Sequence, residues 1–101
     1  MKVTVEAPKF DADVKLIEFI EKKASKLENF YDKIIHVDVF LKLEPNVKPD
    51  NKIVELLVSV PGDEFIVKKM SKSFEEATDL CVQSMERMLL KRKDKIRSRV
   101  S

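Results

Sequence analysis

The chain has one glycine, one cysteine, one histidine and no tryptophan in 101 residues. Each shortage excludes something. A single glycine, Gly62, leaves no glycine-rich loop whose backbone N–H groups could cradle a nucleotide's phosphates. A lone cysteine, Cys81, cannot close an intrachain disulfide and fits a reducing compartment. The lone His36 has no second His or Cys at ligand spacing, which argues against a metal site. There is no apolar run of membrane-spanning length, and the opening MKVTVEAPKF alternates and then breaks at Pro8 instead of forming a leader. A cytoplasmic protein with no membrane partner is expected. Catalytic groups are also missing. Cys81 sits on an apolar stripe with no local base to activate it, and there is no Cys-x-x-Cys and no His pair. The expectation is a protein that is not an enzyme, with no cofactor, metal or small-molecule substrate.

What the chain has in quantity is charge. Charged residues make up 38% and apolar residues 44%, enough for one core under a densely ionic surface. The length fits a single domain over residues 1–101, with a frayed basic tail expected after about residue 97. Net charge is only +2, but residues 87–99 carry seven basic side chains against one acidic one, so the rest of the chain sums to −4.

Periodicity then assigns the elements. Residues 2–7 alternate and are β-branched, a first strand ended by Pro8. Asp11 or Asp13 is placed to cap a helix running to about Asn29, with Leu16, Ile17, Ile20, Ala24, Leu27 and Tyr31 in one sector. Residues 33–44 alternate as a strand with Ile35, Val37, Val39, Leu41 and Leu43 on its buried face. Residues 45–51 form a proline-bearing loop. Residues 52–60 and 64–70 form two further strands around the turn at Pro61-Gly62-Asp63. A last helix from Ser73 to Arg99 carries the stripe Phe74, Ala77, Thr78, Cys81, Met85, Met88, Leu89, Ile96. The order is β-α-β-β-β-α. A helical crossover makes the first two strands parallel, and the short links make the other pairings antiparallel. The predicted fold is a two-layer α+β domain, a four-stranded mixed sheet with two helices on one face.

The basic residues concentrate on the helices. Lys15, Lys22 and Lys26 form a one-sided ridge on the first, with Lys23 nearer the apolar stripe. On the last helix Arg87, Lys91 and Lys95 repeat every four residues, and Arg92, Lys93, Arg97 and Arg99 spread the charge around its end. Glu75, Glu76 and Asp79 at its start complement the helix dipole. The basic end exceeds what dipole capping needs and suits phosphate-backbone binding, in which several Lys and Arg side chains displace condensed counterions together. No helix-turn-helix, zinc finger or Asn/Gln-rich reading face points to DNA, so structured RNA is the expected partner. If packed on one sheet face, the two helices would bring both ridges to a shared RNA-facing groove. A general structured-RNA binder, or a protein-interaction module that modulates transcription, are the alternative readings.

Several stretches in order carry a family pattern. They are Leu16-x-x-Phe19-Ile20-x-x-Lys23-x-x-Lys26-Leu27, Phe30-Tyr31-Asp32-x-Ile34, Val37-x-Val39-x-Leu41-Lys42, Ala77-x-Asp79, and Arg87 followed by Lys91-Arg92-Lys93-Asp94-Lys95. Together they resemble the ribosome hibernation promoting factors, also called ribosome-associated inhibitors, over nearly the whole chain. The resemblance implies a fold related in shape to double-stranded-RNA-binding domains. It also implies binding to the small ribosomal subunit through 16S-type rRNA, in the channel of messenger and transfer RNAs, with inhibition of translation and ribosome hibernation under stress. It assigns RNA contact to Lys23, Lys26, Arg87, Lys91, Lys93 and Lys95. Arg92 stands where a histidine is common in the family. The ridge geometry adds Lys22 and Arg97. The end at Ser101 implies that the carboxy-terminal domain of long members, which pairs ribosomes, is missing.

Overall fold

Strand alternation and helical stripes resolve, in the computed structural model, into β1 (Lys2–Glu6), α1 (Val14–Ser25), β2 (His36–Leu43), β3 (Lys52–Val60), β4 (Asp63–Ser71) and α2 (Phe74–Val100). The structure describes residues 1–46 and 48–100, the side chains of 96–100 excepted. α1 tightens at its end into a short 3-10 turn, Lys26–Asn29, so the helical run reaches the residue expected from its pattern. α2 runs from Phe74 to Val100.

The sheet order is β1-β2-β3-β4, with β1 parallel to β2 and the other neighbours antiparallel. Pairing in register lines up Val37 with Val58, Val39 with Leu56 and Val67, and Leu41 with Val54 on one face. That face is buried beneath both helices, where it meets Ile20, Ala24 and Leu27 from the first helical segment and Ala77, Cys81, Met85 and Leu89 from α2. Each Val, Leu, Ile or Met side chain among them contributes on the order of 1.5–3 kcal/mol by leaving water. Neither helix packs on the other sheet face among the described residues.

Two details depart from the pattern. β2 begins at His36 rather than residue 33, so Ile35 lies before the strand and Leu43 is its last residue, and the two are 54% and 46% exposed. Ile34 is buried in Ile35's stead. Asp13 does occupy the α1 N-cap, but its side chain makes no capping bond; its carbonyl accepts the Ile17 N–H at 3.0 Å.

α2 starts cleanly. The Ser73 hydroxyl accepts the Glu76 N–H at 3.1 Å, one half of a capping box. Phe74 stacks on Phe10 with ring centroids 5.3 Å apart, tying the helix start to the loop before α1. Cys81 is fully buried, and its thiol donates to the Val54 carbonyl at 3.3 Å. Burial pushes that thiol up to about 12, which leaves it protonated and inert as a nucleophile at neutral pH. The molecule measures 49 × 23 × 19 Å. Its long axis reflects α2, whose 27 residues span about 40 Å.

Candidate nucleic-acid interface

The basic residues separate into groups fixed by how α1 meets α2. Lys23 pairs with Asp79 at 3.3 Å and lies 5.6 Å from the Phe19 ring. This contact marks the Asp79 side of α2 as the one that faces α1. Lys91 lies twelve residues beyond Asp79, about 18 Å along the axis and about 120° around it. Lys22 and Lys26 are exposed above α1, whereas Lys91 and Lys95 stand over the far flank of α2, beside the β3–β4 turn. Lys91 and Lys95 of the second ridge therefore stand on the flank of α2 turned away from α1. The cations make a band that starts on α1 and wraps over the distal half of α2.

At the far flank the band borders a concavity of about 620 Å³ lined by Pro61, Gly62, Phe65, Met88, Lys91 and Lys95, with Asp63 and Arg92 at its wall. Gly62 holds φ at +79°, the left-handed value that the second position of this tight turn requires. Arg87 is exposed, and its guanidinium donates to Ser84 Oγ at 3.2 Å. Among the described residues, Lys22, Lys26, Arg87, Lys91, Lys93 and Lys95 take part in no ion pair. Lys93 is half-buried on the flank nearer α1. The Arg97 side chain lies outside the described residues.

Arg92 behaves differently. Its guanidinium donates to the Pro61 carbonyl at 2.8 Å, to Asp63 Oδ2 at 3.1 Å and, through Nε, to the Tyr31 hydroxyl at 3.3 Å. It sits about 6 Å from both the Tyr31 and Phe65 rings, at 6.0 and 5.9 Å. Only 22% of its side chain is exposed. Arg92 is thus the clasp that fastens α2 to the β3–β4 turn and to the segment after α1, leaving little of it for an outside anion. Its partners lie 29, 31 and 61 residues away, so no local pattern reveals them. The Asp79–Lys23 pair was likewise missed; Asp79 serves as a bridge between helices as well as a complement to the helix dipole. Ser73 was findable, since Ser-x-x-Glu before an apolar stripe is a helix-start signature.

Among the described residues no group of three His, Cys, Asp or Glu side chains could hold a metal ion. No described helix is long and apolar enough to cross a membrane. His36 lies on the open sheet face, with Nε2 3.0 Å from Ser59 Oγ and 3.2 Å from Asp38 Oδ2.

Residues 3–97 match the family model described as sigma 54 modulation protein / S30EA ribosomal protein. The chain belongs to this family. Among similar members, a protein named ribosome hibernation promoting factor from Azotobacter vinelandii is 30% identical over 95 residues, covering 94% of this chain and 85% of the relative. One of the same name from Pseudomonas putida is 28% identical over 98 residues, covering 97% and 92%. Among solved structures, a ribosomal subunit interface protein from Coxiella burnetii superposes with a TM-score of 0.80 at 23% identity, covering 93% of this chain and 99% of that one. The N-terminal domain of Thermus thermophilus Protein Y superposes at 0.72 with 20% identity, covering 89% and 93%. Both likenesses show a shared fold.

Proposed function

We propose that this chain binds the small ribosomal subunit through its 16S-type RNA, in the channel that messenger and transfer RNAs occupy, and thereby silences translation and promotes ribosome hibernation. The observation that carries this reading is the unneutralised cationic band, in a chain whose relatives are named for ribosome hibernation. Exposed lysines and arginines with no internal partner are available to phosphates, and each phosphate neutralised releases a condensed counterion. Lys22, Lys26, Arg87, Lys91 and Lys95 are the principal contacts. Lys23 and Arg92 contribute less, because Asp79 and Asp63 already hold them. Lys93 and Arg97 extend the band. The role needs no catalysis, cofactor or metal. It places the protein with ribosomes in the cytoplasm.

Gradient sedimentation of the purified chain mixed with small subunits tests this. The protein is expected to travel with the subunit at moderate salt and to be displaced by messenger RNA with initiator transfer RNA. Protein left at the top of the gradient would overturn the proposal. Equal competition by unrelated duplex RNA would replace it with general structured-RNA binding.

A further inference from the structure

β4 is an edge strand nine residues long, and its free side is covered by no other strand among the described residues. The turn Pro61-Gly62 closes on the pair Val60–Asp63. Such a two-residue turn closes on a hydrogen-bonded pair, so Asp63, Phe65, Val67 and Lys69 turn their amides toward β3. Ser59, whose carbonyl accepts the Ile35 N–H at 2.8 Å on the β2 side, confirms this alternation. Glu64, Ile66, Lys68 and Met70 therefore present their backbone groups to the open edge. The Glu64 N–H is held by Asp63 Oδ1 at 2.8 Å, while the Ile66 and Lys68 backbone groups remain open to a partner strand. Side chains of these same residues lie on the uncovered sheet face, where Ile66 is 60% exposed and adjoins Leu57 of β3.

A lysine on an open edge ordinarily discourages strand addition. Here Glu64 and Lys68 flank Ile66 symmetrically, both exposed, and neither is in an ion pair among the described residues. The run Glu64-Phe65-Ile66-Val67-Lys68 is therefore complementary to itself when laid antiparallel. Centred on Ile66, Glu64 of each copy faces Lys68 of the other, Ile66 meets Ile66, and Phe65 meets Val67 on the inner side. A register centred on Glu64 or Lys68 would oppose like charges. One centred on Phe65 or Val67 would set Ile66 against a charge.

We propose that β4 pairs with the β4 of a second copy of this chain, antiparallel and two-fold, joining two four-stranded sheets into one. The contact is isologous and closes after two copies. Its backbone bonds come from Ile66 and from the Lys68 N–H to the Glu64 carbonyl, and Leu57 and Ile66 of both copies make a continuous apolar strip across the seam. The inner pair Asp63–Lys69 adds little, because Arg92 already holds Asp63.

Sedimentation velocity over a concentration series at low salt tests the pairing. The wild-type chain is expected to shift from monomer to dimer. Glu64→Lys and Lys68→Glu should each weaken the dimer about tenfold, since both cross-strand pairs become repulsive. An equimolar mixture of these two variants should recover it, because one copy then presents only lysines and the other only glutamates. Ile66→Lys, which sets like charges on the axis, should abolish it, with circular dichroism confirming that each variant is folded. A wild-type chain that stays monomeric throughout, variants that dimerise as it does, or a mixture no better than its components would each overturn the proposal.

Discussion

In the first turns of α2, Ala77, Cys81 and Met85 are fully buried, Ser73 caps the helix and Asp79 is tied to Lys23. In the last turns, Lys91 and Lys95 are exposed, and no described acid neutralises them. Leu89 and Arg92 mark the passage from one regime to the other: among the described side chains, Leu89 is the last that is fully buried, and Arg92 is the last clasp onto the body. One helix therefore divides its labour along its length. Its start supplies core and fixes the direction in which the rest points; its end carries charge that the body does not neutralise. Changes in the first region should alter stability and leave intrinsic binding alone, and changes in the second should do the reverse.

The largest expected effect is in the first region. Met85→Ala removes a fully buried side chain between helix and sheet and should cost about 2–5 kcal/mol in urea unfolding, with subunit affinity unchanged where the protein is folded. Next comes the opposite case. The double variant Lys91→Glu/Lys95→Glu should lose at least about tenfold in affinity for small subunits, while its unfolding midpoint moves by no more than about 0.5 kcal/mol in stability. Arg92 tests the boundary. Arg92→Ala should cost about 1–2 kcal/mol of stability by leaving Asp63 and the Tyr31 hydroxyl without their donor, and Arg92→Lys should not restore it, because an ammonium cannot span three acceptors in a plane. A pure binding defect in Arg92→Ala, with stability intact, would move the boundary toward the first turns.

A smaller effect sharpens the reading of the buried half. Thr78 Oγ1 is buried without a hydrogen-bond partner among the described residues, so Thr78→Val should stabilise by about 1 kcal/mol in thermal unfolding. Cys81 gives a pH signature. Its thiol is pushed up to about 12 from an ordinary value of 9.0, so the unfolded chain releases that proton first as pH rises. Stability from this group is fully present below pH 9 and is lost progressively toward 12, and Cys81→Ala should flatten that part of the profile.

The element order and both helix stripes, apart from Ile96, whose side chain lies outside the described residues, were legible because each element buries one face, and burial of one face imposes a period. Val37, Val39 and Leu41 followed that rule, but Ile35 and Leu43 did not, because Ile35 precedes the strand and Leu43 is its last residue, and periodicity does not mark where a strand starts or stops. The cationic residues were legible as a set, since charge is written locally. Their arrangement was not. Which flank of α2 faces α1 follows from the docking of its buried stripe and is marked by the Asp79–Lys23 contact; helical geometry then puts Lys91 and Lys95 on the other flank, beside the β3–β4 turn. Arg92 looked like one more member of the run, yet Tyr31, Pro61 and Asp63 converge on it from distant segments.

The central claim is that the distal end of α2 neutralises RNA phosphates. Its most direct test is the dependence of small-subunit affinity on salt, measured for the wild-type chain and for Lys91→Glu/Lys95→Glu. A logarithmic plot should be linear, and the variant's slope should be shallower by about two, one for each phosphate contact removed. Identical slopes for the two proteins would contradict the account.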